Sequence, residues 1–413
     1  MKRRAVEKKK TGCGKSDIPL IAVTGLIVAF GVLMVYSASS YTAKRLYGSE
    51  FHFVYKQLVG IALGAVALFL MSRLDYHILH KLRYVILGLS IVLLAIVFIP
   101  GVGITNYGAR RWINTPFFTI QASEVSKFGF IIFAAAYIGA REDKITTFKG
   151  ILPVVGVGGA ICALIILEPN MSVTICMALL MIVMLFLGGA KIKHLLLIIL
   201  PLIAAAVVLI IIEPYRFARL MAFIDPWESP LEEGYQLIQS YYGLGAGGFF
   251  GVGLFNSRQK YSFLPFAESD FIFSVIGEEL GLLGCLVVIA AYIFLIRRAL
   301  KAALTAPDRF GSLLCSGVAA IIAIQVLVNI AVVTGSIPPT GLPLPLISSG
   351  SSGIIVFMSG IGIVNSVKRR SKESAELMFS RRVRIKKPKI KPEKARNAKK
   401  TRGRAESRAG VNG

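Results

Sequence analysis

Ten stretches of the chain are apolar for close to the length a helix needs to cross a bilayer core, about 20 residues. They fall at 18–39, 55–71, 84–99, 123–140, 151–167, 171–189, 195–212, 271–296, 313–335 and 346–367. A chain built this way is expected to be an all-α polytopic membrane protein with about ten transmembrane helices. Its composition agrees. Charged residues make up 17%, against roughly 25% in ordinary soluble domains, and mean hydropathy is +0.69. A soluble α/β enzyme, a disordered chain and a collagen are all excluded. The first run could be mistaken for a signal peptide with Ser37-Ala38-Ser39 as its cleavage site. It is longer than the 7–15 residues of a signal core, so it reads as an uncleaved span.

Charge orients the spans. Lys and Arg number 47 against 22 Asp and Glu, and basic loops stay on the cytoplasmic side. With the N-terminus inside, that side receives the clusters at 2–15, 73–83, 141–149, 191–193 and 297–309, and everything from Lys368 onward. Both termini are then cytoplasmic, which requires an even number of crossings, and ten satisfies it. A basic chain of this pattern points to membrane lipids as partners, not nucleic acid. Three regions follow: a basic N-terminus (1–17), a membrane domain (18–367) and a basic tail (368–413). The tail is too polar to bury a core and is expected to be disordered, either lying on anionic lipid or holding a partner. The longest segment without a span, 213–269, is expected to be an extracytoplasmic loop before the eighth span. Its many aromatic residues, among them Trp227, Tyr241 and Phe250, argue for a folded loop against the membrane surface.

Several motifs fail on inspection. Gly12-Cys13-Gly14-Lys15-Ser16 resembles the end of a phosphate-binding loop but lacks its earlier glycine and a preceding strand. Gly243 to Gly248 fits a dinucleotide fingerprint by letter without a βαβ context, and points instead to close backbone packing or a flexible rim. The five cysteines show no disulfide spacing, and His52, His77, His80 and His194 are too scattered for a metal site.

Charges at or inside the membrane are more informative, because each is costly and usually has a partner or a purpose. Glu124 and Lys127 lie three residues apart at the outer end of the fourth span, on one helix face. Asp270 stands where the long loop enters the eighth span, either as a helix cap or as a reactive carboxylate. Glu278 and Glu279 lie roughly 12 Å deeper by helix rise. For both glutamates and for the Glu124/Lys127 pair, a purely structural ion-pair role is the competing reading. The outer loops supply Arg110, Arg111, Arg216, Arg219, Arg258 and Lys260. One interfacial carboxylate among cations suits an anionic, lipid-borne substrate.

The run Leu264-Pro265-Phe266-Ala267-Glu268-Ser269-Asp270 through Gly277-Glu278-Glu279-Leu280-Gly281 resembles the signature of the SEDS family (shape, elongation, division, sporulation), whose members include FtsW, RodA and SpoVE. Gly253 to Lys260, the Gly108-Ala109-Arg110-Arg111-Trp112-Ile113 element, Gln121-Ala122-Ser123-Glu124 with Lys127, and Leu344 to Ser348 are similar to further elements of that family, in the same order. Departures are Ala122 for a usual proline, Glu168-Pro169-Asn170 where QPD is common, altered residues before Asp270, and Ser349, Ser351 and Gly353 in a YGGSS element. The resemblance implies a peptidoglycan glycosyltransferase that polymerises lipid II at the outer face of a bacterial cytoplasmic membrane. Asp270 would be the general base. Lys127, Arg110, Arg111, Arg258 and Lys260 would stabilise the leaving pyrophosphate, with Glu124, Glu268, Glu278 and Glu279 as further substrate-binding candidates. A Mg²⁺ or another divalent cation would share that duty, although no separate carboxylate cluster demands one. The implied protein partner is a class B penicillin-binding protein transpeptidase, since this chain carries no SxxK–SxN–KTG set. A lipid II flippase using Glu124, Lys127, Glu278 and Glu279 as a polar track, and a non-catalytic scaffold, are the rival readings.

Overall fold

The computed structural model describes residues 14–106, 109–115 and 119–371. Most of the basic N-terminus and nearly all of the tail expected to be disordered lie outside the described residues. The helices run α1 Ile18–Tyr47, α2 His52–Arg73, α3 His77–Ile96, α4 Ala122–Gly139, α5 Glu142–Ile145, α6 Phe148–Leu167, α7 Met171–Leu187, α8 Ile192–Ile212, α9 Pro214–Ile224, α10 Tyr235–Gly247, α11 Ile272–Leu304, α12 Arg309–Val333 and α13 Ser351–Arg369. Among the described residues, nine helices are long and apolar enough to cross a membrane. The tenth apolar run forms α7, whose 17 residues reach about 26 Å at 1.5 Å per residue.

Local chemistry starts several of these helices. Asp17, Thr147, Asn170 and Asp308 each accept a hydrogen bond from a backbone N–H in the first turn of α1, α6, α7 and α12, as N-caps do. Burial then sorts them. Nearly every residue of α4 is buried, whereas α8 buries only Leu195 and Ile198. α4 is therefore the central post of the bundle, packed by α3, α6, α7, α12 and α13, and α8 lies at its margin.

Two contacts fix the parity of the bundle. The Gly14 N–H donates to the Arg369 carbonyl, and the Asp17 N–H donates to Asn365 Oδ1 at 2.8 Å. The start of α1 and the end of α13 thus share one end of the bundle, with an even number of crossings between them. The same end gathers Arg298 against Asp17 (2.6 Å), and Tyr76 and His77 against Asp308. It is called the basic end below, and the opposite end the loop end.

The helical membrane fold holds, with one addition and two corrections. Besides the helices, β1 Gly103–Asn106, β2 Ala109–Asn114 and β3 Thr119–Gln121 form a small antiparallel sheet at the loop end, in the order β1-β2-β3. A search for 20-residue apolar runs cannot detect strands this short. The last helix starts at Ser351 rather than 346, because Pro343 and Pro345 lack an N–H and Leu346 has φ 68°. The long loop does not lie wholly on the surface, as follows from α11.

α11 breaks at Gly281, with φ 66° and ψ −167°. Backbone groups freed in mid-helix must be satisfied without water, and residues 248–253 do it. Leu282 and Leu283 N–H donate to the carbonyls of Gly248 (2.9 Å) and Phe249 (3.2 Å), and Val252 and Gly253 N–H donate to those of Glu278 and Glu279 (both 3.0 Å). A Cβ on Gly281 would lie 2.4 Å from the Gly251 nitrogen, so both the kink and the close approach need glycine. The loop therefore descends beside the first half of α11. The Gly243–Gly248 run forms the end of α10, packed on α11, which is the close-packing alternative and not a nucleotide fold.

Candidate active site

Asp270 sits in the last turn before α11, half-buried at the loop end. The residue at the N-cap position of α11 is Phe271, and no side chain caps the helix. Asp270 is thus not spent as a cap. Its Oδ1 accepts from Ser269 Oγ at 2.8 Å.

The chain around Asp270 is held by a second segment, 340–350. Ser348 Oγ donates to the Ser269 carbonyl (2.6 Å), the Ser349 N–H to the Glu268 carbonyl (2.8 Å), and the Leu344 N–H to Ser348 Oγ (2.8 Å). Asn329 of α12 clasps both segments: its Nδ2 donates to the carbonyls of Asp270 (2.8 Å) and Leu342 (2.7 Å). Buried Gln57 of α2 donates to the carbonyls of Ile347 and Ser348 (both 3.3 Å), and Tyr292 donates to that of Pro345. The Leu344–Ser348 motif is therefore the frame of Asp270, although 74 residues or more separate them in sequence. Gly341, at φ 71°, comes so close that a Cβ there would lie 3.1 Å from Asp270 Oδ2.

Two cations act on this carboxylate, Arg219 of α9 and Arg111 of β2. Arg111 is held from behind, its Nε donating to the Glu168 carbonyl (3.2 Å) and its Nη2 to that of Pro169. Arg219 pairs with Glu233 at 3.7 Å and stacks on Tyr215. Burial raises the Asp270 carboxyl above its ordinary range, against the opposing pull of Ser269, Arg219 and Arg111. Glu268 is raised for the same reason, burial first, with Asp270 adding to it. Burial lowers Arg111. A base whose pKa rises toward neutrality is better matched to its working pH.

The other predicted residues fall in separate places. Lys127 Nζ donates to Glu124 Oε1 at 2.6 Å inside the bundle, and the two side chains are 0% and 2% exposed. Glu278 accepts from Ser257 Oγ and from the N–H groups of Arg258 (2.8 Å) and Gln259 (3.4 Å), while Glu279 accepts from Ser37 Oγ and the Ser257 N–H (3.2 Å). Those two carboxylates tie the descending loop to α11. Lys260 donates to the Phe255 carbonyl and lies over the Tyr261 ring. Arg110 is exposed on β2 beside Arg111. Arg219 is the residue that sequence reasoning left among the general loop cations, and Glu168 the one it took only as a departure. An arginine on a loop carries no spacing signal, so only the fold could choose between them. Among the described residues no group of three His, Cys, Asp or Glu could hold a metal ion.

The family model described as cell cycle protein, for FtsW, RodA and SpoVE, matches residues 18–373. The chain is 37% identical to Stage V sporulation protein E of Bacillus subtilis (strain 168) over 357 residues, covering 86% of this chain and 98% of that protein. It is 36% identical to the probable peptidoglycan glycosyltransferase FtsW of Geobacter sp. (strain M18) over 360 residues, 87% and 98% of the two. Among solved structures it is similar to a chain of a peptidoglycan synthase complex described as coordinating polymerization and crosslinking, with TM-score 0.71, 30% identity and coverage of 86% and 99%. It is also similar to the rod shape determining protein RodA of Thermus thermophilus, with TM-score 0.63, 26% identity and coverage of 86% and 98%.

Proposed function

Because the chain belongs to the FtsW/RodA/SpoVE family of cell cycle proteins, we propose that the Asp270 basin is the active centre of a multi-pass membrane peptidoglycan glycosyltransferase. The substrate is lipid II. The loop end faces outward from a bacterial cytoplasmic membrane, and the basic end faces the cytoplasm, as the Lys and Arg distribution requires. The membrane domain spans 18–367, flanked by cytoplasmic segments 1–17 and 368–413.

Asp270 takes the proton from the acceptor sugar's hydroxyl as that oxygen attacks the donor's anomeric carbon. The bond from that carbon to the pyrophosphate breaks, and undecaprenyl pyrophosphate leaves with the electron pair. Arg111 and Arg219 stand ready for the charge that develops, which costs no reorganisation at the moment of reaction. Fixing the two lipid-borne reactants against the bundle removes entropy from the barrier. The observation that carries this reading is a carboxylate free of capping duty and framed by long-range hydrogen bonds, with two arginines near enough to act on it electrostatically. Against the flippase, Glu124 and Lys127 are engaged with each other, and Glu278 and Glu279 with the loop, which leaves no continuous polar track from these four.

A class B penicillin-binding protein transpeptidase is the proposed partner and supplies crosslinking. The test is purified protein, with and without that transpeptidase, incubated with labelled lipid II. Glycan ladders on a gel are expected. Their absence under both conditions, with folded protein, would leave the scaffold reading in place.

A further inference from the structure

Glu168 stands in the three-residue turn between α6 and α7. Its side chain is 0% exposed, and neither carboxyl oxygen has a hydrogen-bond partner. An ionised carboxylate left so would be costly, so the group is held neutral unless a charge compensates it. The compensating charge at hand is Arg111, whose guanidinium is already bonded to the Glu168 and Pro169 carbonyls. The start of α7, directly after this turn, reaches the Asp270 frame: Ser172 donates to the Thr340 carbonyl, next to Gly341.

We propose that Glu168 is a positioning residue for polymerisation, which governs how much of the Arg111 charge is available to the substrate's pyrophosphate. Neutral Glu168 holds Arg111 through backbone carbonyls alone and leaves its charge uncancelled. Ionised Glu168 draws the guanidinium to itself and weakens the attraction for the leaving group. This rests on the reading of Arg111 as a pyrophosphate contact.

Around this pair the other charges are few and can be named. Arg111 feels Tyr215 and Arg219 from α9 and Asp270 before α11, besides Glu168. From the helices packed on α6, α4 brings Glu124 and Lys127, which neutralise each other, and α7 brings Cys176. The charged residues of α5 and the His, Lys and Arg side chains of α3 belong to the other end of α6, about 30 Å away by helix rise. Burial pushes the Glu168 carboxyl up to about 8 against the pull of Arg111. It therefore crosses from neutral to charged within the range where an assay can follow it.

The experiment measures kcat/KM for labelled lipid II with the full-length protein and its transpeptidase, at pH values on both sides of about 8. Each variant is normalised to its own neutral-pH value. Wild type should lose about tenfold at one pH unit above that midpoint. Glu168→Gln, which keeps the shape and cannot ionise, should lose little over the same step. Glu168→Asp should keep an alkaline loss. An equal loss in wild type and Glu168→Gln would overturn the inference. Arg111→Ala and Arg111→Lys separate it from the reading beneath: full polymerisation by Arg111→Ala removes the pyrophosphate contact itself. If Arg111→Ala is folded and inactive while Glu168→Gln keeps the wild-type alkaline loss, only the role of Glu168 fails.

Discussion

Asp270 and the Glu124–Lys127 pair are both charges placed where a bilayer makes charge costly, yet the fold treats them in opposite ways. The pair closes on itself. Its members lie three residues apart in α4, meet at 2.6 Å and are excluded from solvent. Asp270 has no such local partner beyond Ser269. Its surroundings come from α12, β2, α9 and segment 340–350, all far away in sequence, and they leave the carboxylate half-buried and under the electrostatic pull of two arginines. On the proposed reading the pair is structural and Asp270 carries the chemistry.

The largest effect that can break this contrast is on activity. Asp270→Asn should lower glycan polymerisation by about 10²–10⁴-fold, the usual cost of losing a general base. Its thermal stability should barely change, because no helix rests on the carboxylate. A rate above about a tenth of wild type, set against that expectation, would make Asp270 a structural residue like the pair.

The pair should show the reverse pattern. Lys127→Met strands Glu124 as a buried unpaired charge and should cost about 3–5 kcal/mol, read as lost thermal stability in detergent. Lys127→Met with Glu124→Gln should recover much of that loss. A stable Lys127→Met protein that cannot polymerise would instead assign Lys127 to the substrate.

Asn329→Ala probes the frame rather than the base. Removing its two bonds to the Asp270 and Leu342 carbonyls should cost about 1–3 kcal/mol at the usual net value per bond. It should lower kcat more than it raises KM, because the base is misplaced while the binding cations remain. Unchanged kcat would mean that Asp270 holds its position without the clasp.

Gly341→Ala is the mildest probe. A side chain at φ 71° is strained by about 1–2 kcal/mol, and the new Cβ would press on Asp270 Oδ2 at 3.1 Å. A modest fall in kcat with near-normal membrane accumulation is expected. No change in kcat would show that the carboxylate has room to move.

Much of the fold could be read from the chain. The ten apolar runs gave the helices within a few residues at most boundaries, since a span is dictated by about 20 residues of local hydropathy. The errors came where short-range rules compete. The sheet of 103–121 has strands too short to show a pattern, and the last helix starts at Ser351 rather than 346, behind Pro343, Pro345 and the left-handed Leu346. The site was legible in part. Asp270 stood out as a carboxylate at the end of a span, and the Glu124/Lys127 pairing followed from helix periodicity.

The sequence by itself determined that the chain crosses the membrane many times, which of its ends are basic, and which few charges are unusual for such a setting, because all of these depend on local composition. Only the tertiary structure decided which cations act on Asp270. Arg111 is delivered by a strand and Arg219 by a loop helix, while Arg258 and Lys260, only 12 and 10 residues from Asp270, are drawn down with the loop that repairs the kink at Gly281. That choice turns on where backbone groups freed inside α11 find hydrogen-bond partners, a condition set by packing across the whole bundle and invisible in any one segment of the chain.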